Sequence, residues 1–332
     1  MAANSEPLPW QRQQWAYAAG RLAAQRMPHA LLLTGVAGCG QEQFAQALVA
    51  AALCLQRNED GLACGICSAC ELYQAGTHPD FQGIAAEAGS EQIKIDQIRE
   101  LLSFLGLSRQ FAGYRVALIE AADRLNANAA NSLLKMLEEP PAASLLVLVA
   151  TQPALLPITI RSRCQRLRFG VPPTDDGLKW LAAKLGDEAK AKQLLAFAQG
   201  APVRALALYE QDALQRWTQW RASLSALLTG HAEALQVAEA WSKTDLEEML
   251  NWWLGICSTM IKWQLHASDQ KLLADDDELP RLADNVDSAR AFAFFDKLLS
   301  ACRWARTGVN NALLLEELLL DWQQLLKTES RA

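Results

Sequence analysis

The sequence predicts an α/β protein: a parallel sheet with helices on both faces, followed by a region that is helical to the end. Three observations carry this. Apolar runs at 30–34, 116–120 and 144–151 read as buried strands, and segments with apolar residues at helical spacing separate them. A glycine-rich turn follows the first run and opens a helix, the arrangement of a phosphate-binding loop. Beyond Pro172-Pro173 strand patterning stops.

At 332 residues the chain is too long for a single small core. Its 51% hydrophobic and 20% charged content describe an ordinary globular protein. A net charge of -6 speaks against a stand-alone nucleic-acid binder, which is ordinarily basic. Residues 1–7 hold no basic stretch leading into an apolar run, and the apolar stretch 145–150 is far too short to span a bilayer. The expectation is a cytoplasmic chain with no membrane association.

Residues 9–27 place Trp10, Trp15, Tyr17 and Leu22 among Gln and Arg, an amphipathic helix. The first strand then enters Gly35-Val-Ala-Gly-Cys-Gly-Gln-Glu42. A phosphate loop reads Gly-x4-Gly-Lys-Ser/Thr, with the lysine on the terminal phosphates and the hydroxyl on Mg²⁺. Gly35 and Gly40 fill the glycine positions, but Gln41 and Glu42 stand where the lysine and hydroxyl belong. An uncharged amide offers the phosphates no cation, and a carboxylate repels them. The scaffold is kept and its chemistry is lost. Phe44, Leu48 and Leu53 then continue at helical spacing.

Four of the eight cysteines follow as Cys54-x9-Cys64-x2-Cys67-x2-Cys70. This supplies the four thiolates of a tetrahedral zinc site; unrelated free thiols or a redox pair are the alternatives. Gly65, Ser68 and Ala69 suit a loop wrapped around a metal, and four thiolates leave no open coordination position, so the role is structural. Cys39 and Cys164 read as small buried residues. His78, in the turn at 76–80, reads as hydrogen-bonded within its loop rather than as a ligand.

A short strand at 81–85 and an amphipathic helix from Ile93 to Leu105 lead to the strand 116–120. That strand ends in Glu120-Ala121, where a P-loop ATPase places a metal-holding aspartate and a water-activating glutamate. The first carboxylate is kept; the second is a methyl group. A helix at 126–139 stops at Pro140-Pro141, and the next strand ends at Thr151, the end at which open α/β sheets bind ligands. A short helix reaches Ser162-Arg163-Cys164, and 165–169 alternates as an edge strand. Helices fit 174–185, 188–198 and 202–209, and everything from 211 onward. The tryptophans gathered there lack interleaved Lys/Arg, which favours helix packing or a subunit interface over base stacking. The acidic run 275–278 reads as a solvated loop.

Asn131-Ser-Leu-Leu-Lys-Met-Leu-Glu-Glu-Pro-Pro141 and Ser162-Arg163-Cys164 resemble the signature segments of AAA+ clamp-loader subunits. With the cysteine cluster lying between the loop and the second strand, they resemble those of bacterial DNA polymerase III. The lost lysine, the lost glutamate and the kept Ser-Arg-Cys are similar to its delta-prime family, which does not hydrolyse ATP. The motif-rich resemblance covers 31–164. It implies a RecA-like AAA+ core at 1–170 with a zinc module at 54–70, a three-helix lid at 171–210 and a helical collar at 211–332. Cys54, Cys64, Cys67 and Cys70 would then hold Zn²⁺. Gly35, Gly40 and Glu120 would be vestiges of a site that binds ATP weakly or not at all. Arg163 would be an arginine finger, offered in trans to nucleotide on a neighbouring subunit. A guanidinium suits that task, being permanently charged and able to fork onto phosphate oxygens. Spacing alone equally allows Arg161, Arg163, Arg166 and Arg168 to form a solvated basic face.

The family's ATPase members carry a sensing arginine three residues after a glycine; after Gly200 that position is Val203, with Arg204 one step on. The function implied is a non-hydrolysing subunit in the ATP-dependent loading of a sliding clamp onto primer–template DNA. Its partners would be the other loader subunits, the clamp, and DNA through the assembled complex. Lys94 and Arg99 read either as DNA contacts or as a solvated face. Two other functions stay open: a hydrolysing subunit with an atypical loop, and a zinc-dependent DNA-binding module.

Overall fold

The computed structural model describes residues 6–85, 92–265, 286–305 and 310–325. The acidic run 275–278 lies outside them. Residues 1–181 with 200–204 form one compact unit, and 182–199 with 205–332 a second.

The first unit is built on five parallel strands: β1 (Ala30–Gly35), β2 (Phe81–Ile84), β3 (Arg115–Ile119), β4 (Ser144–Ala150) and β5 (Gln165–Phe169). Their order is β2-β3-β4-β1-β5, so β1 lies between β4 and β5 and the chain crosses over between neighbours. The register sets Leu32 opposite Leu148 on one side and Arg166 on the other. α1 (Arg12–Ala23) precedes the first strand, and the crossovers carry α2 (Gln41–Leu53), α3 (Ser68–Gln74), α4 (Ile95–Leu105), α5 (Ala127–Glu138) and α6 (Ile158–Arg161).

Successive residues of a strand point to opposite faces, and here each face has its own core. Leu32, Ala117, Ile119, Leu146 and Leu148 pack with Ile98, Leu101, Leu133 and Leu137 of α4 and α5. Leu31, Leu33, Val116, Leu118 and Val147 pack with Leu22, Phe44 and Leu48 of α1 and α2. Strands covered on both sides are apolar, which is why 30–33 of β1, 116–119 of β3 and 145–150 of β4 are unbroken hydrophobic runs. β5 is different. Among the described residues it pairs only with β1; it keeps Leu167 and Phe169 against the core and exposes Gln165, Arg166 and Arg168. Charges on an edge strand discourage further pairing.

A buried ion pair organises the approach to β3. Arg115 Nη2 donates to Asp80 Oδ1 at 2.8 Å, with side chains 5% and 1% exposed. Asp80 also accepts the backbone N–H groups of Gln110 and Phe111, while Arg115 donates to the Phe104 and Ser108 carbonyls. His78 behaves as the sequence suggests: its Nδ1 accepts the Asp80 N–H at 3.0 Å.

Beyond the sheet come α7 (Thr174–Leu185), α8 (Glu188–Phe197), α9 (Pro202–Glu210), α10 (Ala213–Leu228), α11 (Ala234–Trp241), α12 (Leu246–Gln264), α13 (Ser288–Trp304) and α14 (Asn311–Gln323). In the second unit Trp253 is fully buried, with ring centroids 5.5 Å from Trp241, 5.3 Å from Phe294 and 5.6 Å from Trp322. Such edge-on and tilted contacts are the favourable arrangements for aromatic quadrupoles. Trp217, Trp220 and Trp252 are buried as well, whereas Trp263 and Trp304 are exposed. Among the described residues no helix is long and apolar enough to cross a membrane.

Candidate functional site

The loop between β1 and α2 is pinned from three directions. Gln11 Nε2 donates to the carbonyls of Cys39 and Gly40 at 3.2 and 2.8 Å, and Trp10 Nε1 donates to Cys39 O at 3.0 Å. From the first turn of α9, the Val203 N–H donates to Gly38 O at 3.0 Å. The glycines are needed for these approaches. A Cβ on Gly35 would lie 2.1 Å from Phe169 O, and one on Gly38, whose φ is +79°, would lie 2.4 Å from Arg204 Cβ. The arginine that falls out of register with the sensing position therefore has its backbone against the loop.

Gln41 opens α2 and is buried, with Nε2 donating to Val36 O at 2.8 Å. Its amide is tied into its own loop. Glu42, the next residue, is exposed. Glu120 stands immediately beyond β3; burial first, and the Glu42 carboxylate second, push its pKa up. Where magnesium chemistry calls for a hydroxyl and one carboxylate, this chain sets two mutually repelling carboxylates. Thr151 is engaged elsewhere: its N–H and hydroxyl, and the Gln152 N–H, all donate to Asp123 Oδ2 at 3.0, 3.0 and 2.7 Å.

The cysteine cluster joins two helices. Cys54 follows the last residue of α2, Cys67 precedes α3 and Cys70 lies in its first turn. The four Sγ atoms all lie within 4.8 Å of one another, with Cys54–Cys67 at 3.9 Å and Cys64–Cys70 at 4.0 Å. None is disulfide-bonded. Four sulfurs at the zinc–thiolate distance of about 2.3 Å would form a tetrahedron with edges of about 3.8 Å, so the cluster has the size to hold a metal ion. Burial pushes the Cys54 and Cys70 thiols up. At Cys67 burial is outweighed by hydrogen bonds from the Leu55 and Cys70 backbones and neighbouring thiols, which bring it down to about 6.

Arg163 lies two residues beyond α6 with its side chain 37% exposed. Its Nη2 donates to Glu138 Oε1 at 2.7 Å and its Nη1 to Thr159 O at 3.1 Å. Arg166 and Arg168 are exposed on β5. Arg99 pairs with Asp96 on the solvent side of α4, in keeping with a solvated face.

The structure thus brings Gly35, Gly40, Gln41, Glu42 and Glu120 to one end of the sheet. Sequence reading missed Trp10 and Gln11, which lie 28 or 29 residues from the loop atoms they hold and carry no motif. It also missed Glu138, although that residue sits inside the 131–141 segment.

A five-stranded parallel sheet of this order, with a glycine-rich loop and helix following β1 and a carboxylate following β3, is the arrangement of the AAA+ class. Residues 10–173 match the family described as DNA polymerase III, delta subunit, and 211–324 match its C-terminal counterpart. The chain is 37% identical over 323 residues to DNA polymerase III subunit delta' of Pseudomonas aeruginosa, covering 96% of this chain and 97% of that one. It is 31% identical over 329 residues to the Escherichia coli subunit delta', covering 96% of both. A solved gamma-subunit-related protein of Thermotoga maritima aligns at 19% identity and a TM-score of 0.46, covering 95% of this chain and 99% of that one. The chain belongs to the delta' family of DNA polymerase III subunits.

Proposed function

We propose that this chain is a non-hydrolysing subunit of a clamp loader that contributes Arg163 to nucleotide bound on a neighbouring subunit. The observation that carries the first half is the state of the loop. Gln41 is buried and bonded to Val36 O, and Glu42 and Glu120 oppose each other where a metal would sit. Without a lysine the terminal phosphates lose their point charge, and two carboxylates add repulsion. A hydrolysing site would need both defects repaired. The second half rests on Arg163, an accessible guanidinium at the surface of the first unit.

In this reading the chain acts with the other loader subunits, whose relatives include the gamma and tau subunits it resembles over about half its length. They would place a sliding clamp on primer–template DNA, with this chain supporting the ring. The division into core 1–170, lid 171–210 and collar 211–332 belongs to the same proposal; the family matches at 10–173 and 211–324 support it. Zinc is the metal proposed for Cys54, Cys64, Cys67 and Cys70, since four thiolates at tetrahedral spacing suit it. Its task is to fasten α2 to α3.

The test is equilibrium ATP binding to the zinc-replete chain with phosphate release followed in the same samples. Neither binding nor turnover is expected. Turnover would overturn the non-hydrolysing assignment, and tight binding without turnover would make the nucleotide a structural ligand. In the assembled complex, Arg163→Ala is expected to slow hydrolysis at the site it completes by roughly 10³-fold or more. An unchanged rate would remove the finger.

A further inference from the structure

We infer that Glu138 is the positioning residue for Arg163; this rests on the reading that Arg163 is presented to a neighbour's nucleotide. Glu138 is the last residue of α5, where the negative end of the helix dipole disfavours a carboxylate. Its compensation comes from Arg163, 25 residues away, through the 2.7 Å contact of Oε1 with Nη2. Nη1 is held by the Thr159 carbonyl at 3.1 Å. Anchors on both terminal nitrogens fix the plane of the guanidinium, which a free arginine at the surface would not keep. They use two of its five N–H donors and leave three for phosphate oxygens.

The pair orients and does not lock. Its side chains are 37% and 53% exposed, and ion pairs in such solvent contact shift an equilibrium by a factor of only a few. A fixed plane, by contrast, spares the neighbouring site the ordering of a long side chain in the transition state.

The experiment measures kcat and KM for ATP in the assembled complex with wild type, Glu138→Ala, Glu138→Gln, Arg163→Ala and the double alanine variant. Size-exclusion chromatography first checks that each variant assembles. Glu138→Ala is expected to lower kcat about three- to fivefold at constant KM, the weight of an exposed pair. Glu138→Gln is expected to recover most of that, because its amide oxygen still accepts from Nη2. On the Arg163→Ala background, Glu138→Ala is expected to add nothing. An equal loss on both backgrounds would make Glu138 a general structural residue and overturn the inference. So would a kcat that Arg163→Ala lowers and Glu138→Ala leaves alone or raises. If Arg163→Ala itself has no effect, the finger reading falls, and this inference falls with it.

Discussion

Asp80 and Arg115 form a buried ion pair within the first unit. Removing one partner of a buried pair leaves the other without compensation, at a cost of about 3–5 kcal/mol. Asp80→Ala is expected to be destabilised by that order in urea titration, and a loss below about 1 kcal/mol would mean that water replaces the carboxylate. His78, next to it, gives a pH signature. Burial, against the smaller opposite pull of Asp80, holds its pKa below the ordinary value, and its Nδ1 is occupied in accepting the Asp80 N–H. The unfolded chain therefore binds a proton at a higher pH than the folded one. Its contribution is fully present above about pH 6.5 and is lost as pH falls toward the depressed folded value. A stability–pH profile should decline through that window in wild type and flatten in His78→Asn; equal slopes would assign the decline to another group. The sequence foresaw that His78 is a loop residue. It gave no sign of the Asp80–Arg115 pair, because a partner 35 residues away leaves no periodic trace.

At the scale of elements, the cysteine module and the tryptophan cluster do comparable work by different means. Cys54 closes α2 while Cys67 and Cys70 open α3, so a bound metal spans the junction that short α3 cannot secure through its own length. Chelation, or Cys67→Ala, is expected to release one metal equivalent by elemental analysis and to lower the melting temperature of the first unit. Each kcal/mol lost should move it by about 2–4 °C. A preparation that holds no zinc when made in zinc-replete medium would refute the assignment. In the second unit, Trp253→Ala opens a cavity between α11, α12, α13 and α14 and is expected to cost about 3–5 kcal/mol. The elements themselves were legible. Strand and helix periods are local, and the reading of 165–169 as an edge strand rested on alternation that a central strand would not show. What pins the loop between β1 and α2 was not legible, since Trp10, Gln11 and the α9 turn reach it from distant parts of the chain.

For the molecule as a whole, two compact units allow their stabilities to be probed separately. Eight of the eleven tryptophans (217, 220, 241, 252, 253, 263, 304 and 322) fall in the second unit, so intrinsic fluorescence reports chiefly on it. Chelation of the metal proposed for the cysteine cluster is expected to shift the unfolding followed by circular dichroism while leaving the main fluorescence transition in place. Coincident shifts would mean that the units melt as one.

By itself the sequence determined the α/β class, the parallel sheet, the presence of Gln41 and Glu42 at the lysine and hydroxyl positions of the loop pattern, and the four cysteines as a set. Each of these is written in residue identity or in a period of a few residues, and neither needs a folded chain to be read. Only the tertiary structure decided that the Gln41 amide closes back on its loop, that burial and then Glu42 raise the pKa of Glu120, and that Glu138 holds Arg163. Those are pairings between side chains that the backbone must first bring within about 3–6 Å, the range over which hydrogen bonds and charges act strongly.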